Sequence, residues 1–388
     1  MGLRKGVSLS QLRVAPVRDR REHREFLAFP YRLYRQNPYW VAPLWIAQRE
    51  LFDTARHPFW AHAERECFLV RRGSETVGRI AAILDRNFNE FHHAQSGFFG
   101  FLETVNDPEV AAALLEAAAG WLRERGALVI YGPMNPSTNY ECGLLVAGFD
   151  LCPWVMMPYN PPYYPELMER AGWRRAKDLY AYYLNREIVT PARLERVAER
   201  VLKASGLRIR PMRMTEFEAE AERAWQIYNA AWSRNWGFTP MTREEFVHLA
   251  RDMKPIVDPE LVLFGELDGQ PVGFVLAVPD INRALKPARG RLFPLGLLKI
   301  MYHKRTIRSM RVITLGVLER YRTAGVAAGL VFEIIRHGIQ RGYQEAEMSW
   351  VLEDNVLMNR PLEALSARRY KTYRIYEWNG NHANSFLT

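Results

Sequence analysis

Short apolar runs broken by a polar turn occur at two places in the chain, in the same order. CFLV at 67–70, a turn over RRGSET and VGRIAAILD at 77–85 predict a two-strand hairpin. LVLF at 261–264, a turn at ELDGQ and VGFVLAVPD at 272–280 predict another. The parallel continues downstream, where VAAALL from Val110 aligns with VAAGLV from Val326. Each opens a long apolar helix that closes on Arg-Gly, at Arg125-Gly126 and at Arg341-Gly342, glycine being the usual residue just past a helix C-terminus. A last match sets Arg174, Arg175, Lys177 and Tyr182 against Arg368, Arg369, Lys371 and Tyr376.

Both copies thus read strand, helices, hairpin, strand, long helix, strand, helix, strand. The pattern predicts an α/β protein of two tandem domains of one type, at 1–190 and 205–388, each a mixed sheet flanked by helices. The stretch PARLERVAERVLKAS between them reads as a helical linker. The spacing between matches drifts because each copy carries one extra segment: 131–158 in the first, after the long helix, and 281–311 in the second, before it.

With 48% hydrophobic and 25% charged residues among 388, the chain has the makeup of a globular protein and not of a disordered one. Its three cysteines (Cys67, Cys142, Cys152) are odd in number and widely spaced. Neither a disulfide framework nor a zinc cluster follows, and a reducing cytoplasm is the expected setting. Adjacent His92 and His93, read as strand residues, would point to opposite sides, so no metal is expected there. The basic start lacks the apolar core of a secretory signal. The best apolar stretch, 292–302, is too short to span a bilayer and carries Lys299.

The net charge of +10 is unevenly spread. Residues 1–24 hold seven Lys/Arg against Asp19 and Glu22, and 281–311 hold nine with no acid. Outside these segments the chain is slightly acidic. The cations of 281–311 are interleaved with Leu292, Phe293, Leu295, Leu297, Leu298, Ile300, Met301 and Tyr302. Such a mixture suits an anionic membrane surface, a lipid, or a phosphate-bearing ligand with an apolar tail. The two segments are therefore expected to rest on the inner face of a membrane. A nucleic-acid partner would want one continuous basic groove and is not expected.

The copies differ most at the entrance to the long helix. Copy two reads LGVLERYRTAGVA at 315–327. Backbone N–H groups beside the small residues Thr323, Ala324 and Gly325, with the positive end of the helix dipole, make a cradle for a pyrophosphate, and Arg322 adds a charge. Copy one reads NDPEVA at 106–111, where Asp107 and Glu109 favour a helix start but repel phosphate.

This strand running into Arg-x-x-Gly-x-Ala, with Val317 and Tyr321 in place, resembles the coenzyme A-binding motif of the GNAT acyltransferase superfamily, V-x-x-x-Y-R-x-x-G-x-G/A. The resemblance covers nearly the whole chain as a tandem pair, with a degenerate first copy and a functional second. It implies an acyl-CoA co-substrate held by Gly316, Val317, Leu318, Arg322, Thr323, Ala324, Gly325, Val326 and Ala327. Asn355 would reach the pantetheine or cap the next helix. Strands at 311–318 and 346–352 would splay to admit the pantetheine arm. Tandem proteins of this look are also similar to the bacterial ceramide synthases, which join a fatty acyl group from CoA to the amine of a sphingoid base.

Acyl transfer to an amine needs a base for the ammonium, donors for the oxyanion and a proton for the leaving thiolate. No Ser-His-Asp or Cys-His spacing is present, so direct attack is preferred over a covalent intermediate on Cys142 or Cys152. Glu353, after the strand MSWVL, is the expected base, with Asp354 behind it; the same residues also suit a strand-end turn with Asn355 as N-cap. The superfamily's usual acid, a tyrosine, falls here at Leu362, which leaves Tyr370 or Tyr373 as substitutes. In the first copy's extension, Asn135, Asn139, Tyr140 and Glu141 stand at a strand end, where α/β sheets bind ligands. Trp154, Met156 and Met157 would add an apolar wall. The favoured reading is an N-acyltransferase with a long-chain, sphingoid-type amine acceptor. A small polar amine or peptide acceptor, and a non-catalytic acyl-CoA or lipid sensor, are the alternatives.

Overall fold

The computed structural model describes residues 12–187 and 206–380. The expected linker helix and residues 1–11 of the basic N-terminal segment lie outside them. The first half contributes β1 (Leu12–Pro16), the hairpin β2 (Ala63–Arg72) and β3 (Glu75–Asp85), β4 (Ser96–Thr104), β5 (Val129–Gly132), the short β6 (Met134–Asn135), β7 (Glu141–Cys142) and β8 (Leu144–Ala147), and β9 (Arg174–Asn185). The second contributes β10 (Arg208–Pro211), the hairpin β11 (Val262–Leu267) and β12 (Gln270–Pro279), β13 (Ser309–Val317), β14 (Glu345–Leu352) and β15 (Arg368–Asn379).

Burial explains the uninterrupted apolar run in β3: the strand lies inside the sheet with both faces covered. The long helices Pro108–Arg123 and Val326–Gln340 each lay an apolar face on the strands of their own half. His92 and His93, expected in a strand, instead end a short helix, Arg86–His92. Asp85 starts that helix by accepting the Asn87 N–H at 3.0 Å.

The strand order is β1-β2-β3-β4-β5-β15-β9-β14-β13-β12-β11-β10, with β8 also on β15. Pairs β4–β5 and β13–β14 are parallel, and the rest of the sheet is antiparallel. The last strands are exchanged. β9 of the first half lies on β14 of the second, β15 lies on β5, and β9 and β15 pair with each other. One sheet therefore runs through both halves.

The first extra segment also meets the second and Asp280, the residue just before it. Asp280 accepts the Val155 N–H at 2.9 Å, Asn282 donates to the Pro153 carbonyl at 3.0 Å, and Lys286 donates to the Cys152 sulfur at 3.1 Å. Among the described residues no helix is long and apolar enough to cross a membrane.

Candidate active site

β13 and β14 pair only as far as Val312 opposite Met348. Beyond that they part. A cleft of about 140 Å³ lies between Ile313, Thr314 and Leu315 on one strand and Ser349 to Leu352 on the other. Ile334, Ile335, Met358 and Leu362 from neighbouring helices complete its lining. Leu362, where the superfamily would have its acidic tyrosine, is therefore part of an apolar wall.

After β13 the chain turns through Glu319–Ala324 to Gly325, whose φ of 73° is a conformation that glycine adopts without strain, and enters the Val326–Gln340 helix. No acid stands in the first turn and no side chain caps it. The orphan N–H groups and the positive helix end are thus left for an anion. The matching start in the first half is closed: the Asp107 carboxylate accepts from the N–H of Glu109 and Val110 at 2.9 and 3.4 Å. The space between β4 and β5 is filled as well. The Met134 carbonyl lies where a Cβ on Gly100 would stand, and Asn135 accepts the Phe101 N–H at 2.6 Å.

The expected coenzyme residues divide by role. Thr323 and Ala324 belong to the turn that leads into Gly325. Gly316 has no side chain because the Trp232 ring packs on it. Val317 and Val326 are buried in the core with Ala327 beside them, and Leu318 packs in the Trp232 cluster. Arg322 is exposed and donates to the Ala231 carbonyl at 2.8 Å. Asn355 both lines the cleft and caps the next helix, accepting the Met358 N–H at 3.3 Å.

The cleft meets a larger cavity of about 240 Å³ that spans both halves. Trp232, Asn235, Ile313, Thr314, Trp350 and Leu352 border both spaces. The cavity wall comes from the helices Phe217–Trp232 and Arg243–Met253, from β11 to β13, and from the first half's extension. Tyr228, Phe238, Phe246, Phe264 and Phe274 make it strongly apolar. Its charged side chains are already paired. Glu220 takes Arg210 at 2.8 and 3.0 Å; Arg311 lies 3.7 Å from Glu347 and donates to Ser349 Oγ at 2.9 Å. Cys142 lines the cavity, but burial pushes its thiol up to about 12. At neutral pH the protonated thiol therefore prevails.

Of the expected acceptor residues, Asn139 and Tyr140 reach this wall. Tyr228 donates to Asn139 Oδ1 at 2.7 Å, Asn139 donates to the Thr239 carbonyl at 3.0 Å, and Tyr140 donates to Glu245 at 2.9 Å. Asn135, Glu141 and Trp154 do not line it. Asn135 is bonded to Phe101 and to Glu141, and Trp154 sits under the Arg283 guanidinium at 5.7 Å.

The expected catalytic residues are not brought to the junction. Glu353 pairs with Arg175 and accepts the Asp178 N–H at 3.1 Å, while Asp354 pairs with Lys177 at 2.8 Å. Strand exchange is the reason: it sets the charged start of β9 against the end of β14. Tyr373 is wholly buried with its hydroxyl unpartnered, and burial raises its pKa well above the ordinary value. Tyr370 donates to Glu347.

Sequence reasoning missed the cavity wall between 217 and 253. Its signal was an aromatic-rich run, which core packing would produce equally. It also missed Trp350, which borders both cleft and cavity and whose indole N–H is buried without a partner. Leaving such a donor unpaired costs about 1–3 kcal/mol.

An anion cradle at a helix start, leading into a parted pair of parallel strands and repeated in closed form in the other half, defines a tandem GNAT acyltransferase. Residues 221–360 match the acetyltransferase (GNAT) family, and the chain belongs to that family. It is 36% identical to the bacterial ceramide synthase of Caulobacter vibrioides (strain NA1000 / CB15N) over 375 residues, 95% of this chain and 97% of that one. It is 35% identical to protein YghO of Escherichia coli (strain K12) over 367 residues, 92% and 93% of the two. A solved tandem GNAT protein from the clavulanic acid biosynthesis pathway aligns over 95% of this chain and 98% of its own, with a TM-score of 0.55 and 12% identity, a likeness of fold alone.

Proposed function

We propose that the chain transfers a long-chain acyl group from acyl-CoA to the amine of a sphingoid-type lipid, giving an N-acyl lipid. The observation that carries this reading is the meeting of the cleft with an apolar cavity at Trp232, Asn235, Thr314 and Trp350. A pantetheine arm running from the Gly325 cradle along the cleft would end there. The cavity beyond has room and chemistry for an alkyl chain, and its paired charges offer no partner to a charged peptide. The similarity to a protein named a ceramide synthase supports the same acceptor class.

In this reading the amine attacks the thioester carbon directly. The C–N bond forms, the C–S bond breaks, and the proton lost by the amine nitrogen passes to the leaving sulfur, so that coenzyme A departs through the cleft as its thiol. Trp350 supplies an N–H to the oxyanion, and Asn235 and Thr314 are the polar side chains beside the amine. The test is thiol release from a ladder of acyl-CoAs, acetyl to stearoyl, with and without sphinganine. Release should depend on sphinganine and rise with chain length. Preferred turnover of acetyl-CoA, indifferent to sphinganine, would overturn the reading.

A further inference from the structure

The helix Gly296–Lys304, inside the acid-free insertion, turns its apolar side outward. Gly296, Ile300 and His303 form the inward stripe, at helical spacing. Leu297, Leu298, Met301 and Tyr302 fall on the opposite arc and, with Phe293 and Leu295 just before them, are 53–87% exposed. Side chains of this size clustered at the surface mark a binding face. Lys299 and Lys304 flank the apolar arc on its two sides, the arrangement in which cations reach headgroups while the apolar side chains enter the acyl layer.

The charges nearby are unneutralised. Arg283 and Arg311 pair with carboxylates, but Arg289, Arg291, Lys299, Lys304 and Arg305 have no ion pair among the described residues. A face that is at once apolar and uncompensated in positive charge is complementary to an anionic bilayer. A second copy of this chain would bring the same positive charge to the contact.

The face is also next to the site. Ile300 packs into a cluster with Met253, Met156, Leu249, Val257 and Ile313, and these five also line the cavity. We infer that this helix docks on an anionic phospholipid surface and sets the cavity wall against the bilayer, so that lipid substrate enters from the membrane. The entry route rests on the long-chain reading; the docking does not, so vesicle binding and turnover fail independently.

The test is flotation of the full chain with vesicles of phosphatidylglycerol and phosphatidylethanolamine, against vesicles of phosphatidylcholine. Binding should favour the anionic vesicles and weaken with salt. Leu298→Glu/Met301→Glu and, separately, Lys299→Glu/Lys304→Glu should each weaken it by about tenfold or more. Because these side chains are exposed, thermal unfolding should be unchanged. No binding to anionic vesicles, or binding undiminished from the parent chain in both variants, would overturn the inference. So would a concentration-dependent dimer that Leu298→Glu/Met301→Glu converts to monomer, since a second copy would then be the occupant.

Discussion

The helices Pro108–Arg123 and Val326–Gln340 hold matching places in the two halves, and their first turns have opposite fates. In the first, Asp107 occupies the free N–H groups, and Met134 and Asn135 fill the space beyond Gly100. In the second, Gly325 leaves the N–H groups open and the cleft between β13 and β14 stays clear. A duplicated fold has thus divided its work. One copy keeps an open helix start; the other lends Asn139 and Tyr140 to the cavity wall. The exchanged strands β9 and β15 hold the two contributions in register.

Closing the second half as the first is closed should give the largest effect. Ala224, on the cavity wall, replaced by tryptophan should lower turnover of palmitoyl-CoA about 100-fold while acetyl-CoA and CoA binding change about twofold at most. An equal loss at both chain lengths would mean that the cavity does not hold the alkyl chain. Trp350→Phe keeps an aromatic side chain, smaller than the indole, and deletes the N–H. Turnover should fall about 10- to 100-fold with acyl-CoA affinity retained, and unchanged turnover would place the oxyanion donor elsewhere.

The reverse experiment is Asp107→Ala, which removes the cap from the first half's helix. Denaturant unfolding should register a loss of about 1 kcal/mol, with no second coenzyme site, because the Met134 backbone still fills the space. A second site would show that the cap alone had closed that half. Glu353→Gln disturbs the seam where β9 meets β14. Its cost is about 1 kcal/mol of stability, with turnover within about twofold. A large fall in turnover would restore Glu353 as the base.

The contact between the halves should also show in pH. His62 lies 3.0 Å from Asp85 of the first half and 3.2 Å from Glu245 of the second. Burial alone would lower its pKa, but the two carboxylates outweigh burial and raise it to about 9. The folded value lies above the unfolded value of about 6.5, so the contribution is complete below about pH 6.5 and fades as pH rises through 9. His62→Gln should flatten the loss of stability between those limits, measured by urea unfolding; an unchanged profile would show that this contact does not join the halves.

The repeat, the hairpins and the open helix start were legible because each is local: a turn between apolar runs, a glycine before a helix, an acid in its place in the other copy. Strand exchange was not legible. The matched residues of β9 and β15 are similar, and local pattern does not say which half a strand joins. The pairing of Glu353 followed from that. Glu353 looked free at a strand end until β9 set Arg175 and Asp178 against it. The cavity wall hid for another reason. Tyr228, Trp232 and Phe246 show the apolar spacing of any helix packed on a sheet, and an enclosed space differs from a filled one only in tertiary packing.

The most direct test of this asymmetry is calorimetric titration of the full chain with coenzyme A. One molecule should bind per chain, and none measurably after Gly325→Glu, which carries an acid to the open helix start. Two molecules per chain, or undiminished affinity in the variant, would contradict it.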